Sequence, residues 1–485
     1  MSRLRVLLFA IVILTVGATL LSLNGCGGAG SSTTPPPPGK IQHVVIIFQE
    51  NRTPDNLFQD PVLINAGAAI AQSGKDSTGH TVQLKKVPLV VDYNPGHGHP
   101  AFLDMCDLNS GTGQCQMDGA DLVPISCDPG ATDCPAPNLA FGYVDPNDVQ
   151  PYFQLAEQYT FADHMFQTNQ GPSMPAHQFI ISGTSAPSTG SNLFAAENPT
   201  GNGPPDAGCD APAGATVQLI DPTGNENSNS PIFPCFEHQT LTDLLEAKSL
   251  SWRYYAPGSS PEPAVHGMPA IWNGPESIRH ICGPQTGPNG TTCEGADWIN
   301  HVVLNQTQIL TDITSNQLQD VSWVIPTGDA SDHAGIDELG GGPSWVASIV
   351  NAIGHSSYWA NTAIFIAWDD WGGWYDHVPP PQVLVNCEQW GCGYVYGFRV
   401  PLIVVSPYAK AQYISHQQHD FGSILKFIET TFSLPSLGYA DAAADDLSDC
   451  FDYNQTPLQF QTIPSALDAQ YFLNDKSPPT APDEE

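Results

Sequence analysis

Two pairs of oxygen-bearing side chains occupy telling positions. Gln49, Glu50, Asn51 and Arg52 turn the chain polar just after the apolar run Val44–Phe48, and Asp369-Asp370 directly follows the apolar run Thr362–Trp368. Carboxylates and carboxamides are hard oxygen donors of the kind that hold a divalent cation. Adjacent aspartates also suit a solvated turn, but burying such like charges without a cation would be costly. A third candidate, Ser173, lies in "NQGPSMPAHQFIISGTS", where Pro175 and the apolar Phe179, Ile180 and Ile181 announce a helix start. Taken by itself, the segment favours Ser173 as a plain helix cap. The same geometry would turn free N–H groups toward an anion, so a phosphate over Ser173 would be favoured. A coordinated cation would lower the hydroxyl pKa and make Ser173 a nucleophile.

The loop histidines are His97 and His99 in "NPGHGHPAF", His333 in "SDHAG" and His377 in "YDHV". Each singly suits a surface or hydrogen-bonding role. His333 differs in standing at a strand end beside Asp332, where it could stabilise phosphoryl oxygens or protonate a leaving group. His419-Asp420 reads as a cap for the following helix.

The elements that must position these residues alternate. Strand-like runs fall at Val44–Phe48, Ser251–Tyr255, Val321–Ile325, Thr362–Trp368 and Val400–Val405. Helical spacing of apolar residues covers Val149–Tyr159, Leu241–Ala247, Trp345–Ile353 and Ile424–Phe432. This predicts an α/β fold with a doubly wound, mostly parallel central sheet and helices on both faces. Asp104–Pro137 and Ser185–Pro234, rich in Gly, Pro, Asn and Cys, read as long excursions over one sheet edge. Val321–Ile325 leads to Asp329, Asp332 and His333, and Thr362–Trp368 leads past Asp369-Asp370 to Asp376 and His377. Three strands thus end on ligand or acid–base residue types, and in a parallel sheet those ends converge on one edge.

Composition narrows the partners. The 485 residues carry 14 Lys+Arg against 49 Asp+Glu, a formal charge of −35, which argues against binding nucleic acid. Arg3, Arg5 and the apolar stretch Val6–Leu23 read as a signal peptide over residues 1–26. Its "LNGCGG" ending resembles a lipobox, with Cys26 as a possible lipid anchor to a membrane. Residues 27–40 are a Gly/Ser/Pro-rich linker, 41–470 the catalytic domain and 471–485 an acidic tail containing proline. The expected location is outside the cytoplasm: secreted, periplasmic or lipid-anchored. Close cysteine spacings suggest Cys106–Cys115, Cys127–Cys134, Cys282–Cys293 and Cys387–Cys392, with Cys209–Cys235 closing a longer loop and Cys450 left over. These read as loop staples rather than zinc sites.

Five ordered segments then carry a resemblance: "HVVIIFQENRTPDNLF", "MDGAD", "ADHMFQTNQGPSMPAHQFIISGTS", "WDDWGGWYDHVPPP" and "YGFRVPLIVVSPYAK". Together they resemble the bacterial phosphoesterase family of non-haemolytic phospholipases C and related acid phosphatases, over roughly Ile41 to Leu434. The resemblance implies an alkaline-phosphatase-like core with disulfide-stapled excursions. It also implies one divalent metal ion held by Glu50, Asn51, Ser173, Asp369 and Asp370. Ser173 would be transiently phosphorylated, and His97 and His333 would contact the transferred group. Either His97 or His99 could match the family histidine; the offset from Met117-Asp118-Gly119 favours His97. Ser173 and the Asp369-Asp370 pair look closer to the acid phosphatases than to the phospholipases, which usually have Thr and Asp-Glu there. Pro175-Ala176-His177 replaces the usual Pro-Asn-Arg.

The expected activity is therefore exported, metal-dependent hydrolysis of a phosphate monoester or phospholipid. Oxygen ligands favour Ca²⁺, Mg²⁺ or Mn²⁺ over zinc. Trp371, Trp374 and Tyr375 could line the pocket beyond the phosphate or pack against the Gly372-Gly373 turn. A glycosidase would leave Ser173 unexplained. A non-catalytic surface binding protein on the same fold is the alternative.

Overall fold

The structure, a computed structural model, describes residues 39–200, 207–222, 224–257, 270–288, 290–336, 339–381 and 396–475. The signal peptide with Cys26, nearly all of the linker, the Cys387–Cys392 pair and the last ten residues lie outside the described residues.

Eight strands form the central sheet: β1 (His43–Gln49), β2 (Thr160–Ala162), β3 (Trp252–Tyr255), β4 (Val302–Val303), β5 (Val321–Val324), β6 (Thr362–Trp368), β7 (Leu402–Val405) and β8 (Tyr413–Ser415). Their order is β4-β3-β5-β1-β6-β7-β2-β8. Neighbours pair in parallel everywhere except at β7, which is antiparallel to both β6 and β2. β1 and β6 sit centrally and are buried almost throughout. That is why each is a continuous apolar run rather than an alternating one.

The principal helices are α1 (His99–Cys106), α2 (Gln150–Gln158), α3 (Ser173–Ser182), α4 (Leu241–Ala247), α5 (Gly342–Gly354) and α6 (Phe421–Phe432). Consecutive β1 residues show that helices cover both faces, because successive side chains point to opposite sides. Phe48 packs its ring against Phe421 of α6 and His177 of α3. Gln49 instead donates to the Tyr152 hydroxyl of α2 and the Gly342 carbonyl of α5. Glu50, next in turn, returns to the α3 side. Helix α6 starts at Phe421, three residues before its apolar pattern, because Asp420 caps it by accepting from the Ser423 N–H at 3.2 Å.

The excursions hold the loops that face the strand ends. Ile125–Cys127 pairs with Tyr93–Pro95, and the Gly96 N–H donates to the Pro124 carbonyl at 2.7 Å, which fixes the approach to His97. Residues 185–234 contribute a three-stranded antiparallel sheet of their own. Disulfides join Cys106–Cys115, Cys127–Cys134, Cys209–Cys235 and Cys282–Cys293, as the spacings suggest, and Cys450 is a buried free thiol.

Candidate active site

At the C-terminal ends of β1 and β6 the chain breaks from extended geometry. Asn51 adopts a left-handed conformation, φ 60°, held by its N–H donating to Asp369 Oδ1 at 3.0 Å. Asp369 Oδ1 also accepts from the Asp370 N–H, and Asp370 Oδ1 accepts from the Gly372 N–H, each at 2.7 Å. Gly372 is itself left-handed, φ 61°, and a Cβ there would lie 2.3 Å from the Asn51 carbonyl oxygen. No other residue lets the two turns approach this closely.

Ser173 meets these turns from α3. It is the first residue of the helix, whose N-cap is Pro172; the serine hydroxyl caps nothing. This corrects the helix-cap reading of the segment. Instead Oγ donates to Glu50 Oε2 at 3.2 Å and Asp370 Oδ2 at 3.3 Å. One helical turn further, His177 places Nε2 3.0 Å from Glu50 Oε1 and 4.0 Å from Asp369 Oδ2. Burial pushes the His177 imidazole down to about 4, so it is neutral and its Nε2–H donates to Glu50. The sequence carried that signal: residues four apart on a helix share a face.

His97 joins the group through Asn51. Its Nδ1 donates to the Pro95 carbonyl at 3.0 Å, leaving Nε2 to accept from the Asn51 amide at 2.7 Å. The amide nitrogen also reaches Asp370 Oδ2 at 3.5 Å, so Asn51 Oδ1 is turned the other way. His333 packs its ring 5.5 Å from that of His97 and 5.9 Å from Trp272, while its Nδ1 donates to the Ala334 carbonyl at 2.7 Å. Trp272, which pattern reading did not single out, is thus the aromatic neighbour of this histidine.

Glu50, Asn51, His97, Ser173, His177, His333, Asp369 and Asp370 are all fully buried. Burial pushes the Glu50 carboxyl well above its ordinary range, and the charges of Asp369 and Asp370 add to the effect. No Lys or Arg among the described residues pairs with Glu50 or Asp369. Asn51 Oδ1 and Asp369 Oδ2 are buried acceptors without a protein hydrogen bond. Orphaned oxygens beside clustered buried carboxylates fit a divalent cation, which would satisfy both the acceptors and the charge.

Other expected residues lie elsewhere. His99 opens α1, where its N–H donates to Glu197 and its Nδ1 donates to the Gln170 carbonyl. Asp332 takes the Tyr152 hydroxyl and the Trp368 indole N–H at 2.7 and 3.1 Å, and its backbone carbonyl takes Arg52 Nε. Asp376 pairs with Arg399, and the half-buried His377 with buried Asp55, in a separate group. Trp371, Trp374 and Tyr375 pack against Phe398, Tyr93 and Phe141 in satellite cores.

"Non-hemolytic phospholipase C" of Pseudomonas aeruginosa is 23% identical over 365 residues, 69% of this chain and 46% of that protein. "Phospholipase C A" of Mycobacterium tuberculosis is 23% identical over 465 residues, 86% of this chain and 78% of the relative. The chain therefore spans about half the length of the first relative and most of the second. Among solved structures, an alkaline phosphatase superfamily protein from Vibrio parahaemolyticus matches with a TM-score of 0.31 and 9% identity, covering 61% of this chain and 64% of that one. The profile of the Phosphoesterase family matches residues 41–435, the span that carries every residue of the buried cluster, and the chain belongs to that family.

Proposed function

We propose that this protein hydrolyses phosphoric esters through a phosphoserine at Ser173. The observation that carries the reading is the serine hydroxyl at the first turn of α3, hydrogen-bonded to two buried carboxylates at 3.2 and 3.3 Å. The positive end of a ten-residue helix favours an anionic phosphate at that point. Glu50, Asn51, Ser173, Asp369 and Asp370 would hold one divalent cation. When bound, it supplies charge stabilisation to the phosphate oxygens and lowers the serine pKa.

Within that frame the residues have separate tasks. Ser173 Oγ attacks phosphorus, and its proton leaves along one of its two hydrogen bonds, to Glu50 or Asp370. As the Oγ–P bond forms, the ester P–O bond breaks. The departing oxygen takes a proton from Nε2 of protonated His333, whose Nδ1 stays committed to the Ala334 carbonyl. His97 orients the Asn51 carboxamide and faces the transferred group. Water then attacks phosphorus as the P–Oγ bond breaks; Ser173 regains its proton from Glu50 or Asp370, the water's proton goes to His333, and phosphate leaves from a monoester substrate or a phosphate monoester from a phospholipid. His177 fixes the Glu50 carboxylate so that Oε2 faces the serine.

The named relatives, both phospholipases C, support a phospholipid as substrate, while Ser173 and the Asp369-Asp370 pair, closer to the acid phosphatases, support a phosphate monoester. The signal-like N-terminus and the four disulfides support export, with anchoring through Cys26 as the finer form. Among the described residues no helix is long and apolar enough to cross a membrane. The test is turnover of a chromogenic phosphomonoester and a chromogenic phosphocholine diester by the wild type and Ser173→Ala, with and without chelator. Diester turnover lost in the variant marks a phospholipase C, and monoester turnover alone marks a phosphatase. If neither is cleaved, the proposal fails.

A further inference from the structure

A second group of metal-ligating side chains lies outside the buried cluster. Strands β2 and β8 run parallel, with Ala162 opposite Ser415, and the Asp163 N–H donates to the Ser415 carbonyl at 3.0 Å. Asp163 and His416 therefore leave the sheet side by side, although 253 residues separate them. His164 is next in the chain. Both imidazoles aim the same ring nitrogen at one carboxylate: His164 Nδ1 lies 2.6 Å from Asp163 Oδ1, and His416 Nδ1 lies 3.0 and 2.9 Å from the two oxygens. The rings stand at 88° with centroids 6.1 Å apart, so they approach from different sides.

The carboxylate at the focus is rigidly held. Its side chain is fully buried, while those of His164 and His416 are 30% and 55% exposed. The Ala69 N–H donates to Asp163 Oδ2 at 2.7 Å, and buried Arg399 grips the carbonyls of both Ala69 and Asp163 at 2.9 and 2.6 Å.

We propose that Asp163, His164 and His416 form a second cation site, for a first-row divalent transition ion such as Zn²⁺. Two imidazoles and a carboxylate are the donor set such ions prefer, in contrast to the oxygen-rich Glu50 cluster. The three donor atoms lie within 4.8 Å of one another. An ion with bonds of about 2.0–2.1 Å needs only a small opening of the rings to enter between them. The exposed side of the imidazoles leaves positions for water, and the strongly negative chain draws cations toward it.

The test is Zn²⁺ titration of the full chain by equilibrium dialysis with elemental analysis, beside the His164→Gln/His416→Gln double variant. The expected result is one zinc ion fewer, or binding weaker by at least about 10-fold, in the double variant, with phosphoester turnover unchanged. Cu²⁺ electron paramagnetic resonance on Glu50→Gln supplies an independent reading, because that variant leaves the second site intact. It should show coupling to two imidazole nitrogens. Equal zinc stoichiometry and affinity in wild type and double variant, or a copper spectrum without nitrogen coupling, would overturn the proposal.

Discussion

Replacing Glu50 by Gln removes one of three clustered buried carboxylates, and the consequence can be worked from the geometry. Donor oxygens of Glu50 and Asp369 lie within 4.8 Å of one another. At an effective dielectric constant of about 20, that separation corresponds to a repulsion of about 3.5 kcal/mol. Asp370 Oδ2 is no farther from Glu50 Oε2 than their two bonds to Ser173 combined, at most about 6.5 Å, which adds about 2.5 kcal/mol. Metal-free protein can escape by protonating Glu50, whose ordinary value is 4.5, and at pH 8 that costs about 5 kcal/mol. The smaller cost sets the ceiling. The native carboxyl is raised, so its contribution to stability is present below pH 4.5 and is lost as pH rises through the native value. In chelator at pH 8, Glu50→Gln should therefore be more stable than wild type by about 2–5 kcal/mol, and the difference should vanish near pH 4.5. Saturating cation should stabilise wild type far more than the variant. Urea unfolding across pH, with and without chelator, measures all of this. If chelated wild type and variant unfold alike at every pH, the claim that these buried charges require a cation is wrong.

Three further outcomes follow from the same structure. His177→Gln removes the imidazole that aligns Glu50, and cation affinity measured by calorimetry should fall roughly 10–100-fold with the fold intact. Gly372→Ala forces a left-handed side chain against the Asn51 carbonyl; unfolding should register a loss of at least about 1–2 kcal/mol, and turnover should fall with it. His238 is buried, bonded to Ser182 and Ala186, and held down to about 4 chiefly by its burial. Below pH 6.5 the unfolded chain takes a proton that the native state refuses. Wild type should thus lose roughly 3 kcal/mol between pH 6.5 and 4 through this residue, and His238→Gln should lack that slope.

Much of the scaffold was legible because its central strands are buried on both faces. Thr362–Trp368 is a strand over the range its apolar run indicated, and Leu241–Ala247 is a helix over its own. The convergence of Glu50, Asn51, Asp369 and Asp370 follows from parallel pairing of β1 with β6, which strand ends alone foreshadow. What pattern reading could not supply was direction. Asp332 and Asp376 stand just past the same strand ends, yet they turn into other hydrogen-bond networks. Gly372 and Gly373, both left-handed, carry the chain away from the cluster, and the neighbouring aromatics fill satellite cores. His177 was visible only as a departure from a motif, although its spacing from Ser173 already put it on the same helical face. Asp163 and His416 gave no signal at all, since adjacency on neighbouring strands leaves none in a one-dimensional pattern.

The central claim is that Ser173 carries the phosphoryl group between the two halves of the reaction. Acid quench of the working enzyme during turnover, followed by peptide mass analysis, tests it most directly. The account predicts one phosphoryl group on the peptide containing Ser173, present only with substrate and absent in Ser173→Ala. Sustained turnover with no phosphorylated peptide, or full activity in Ser173→Ala, would contradict it.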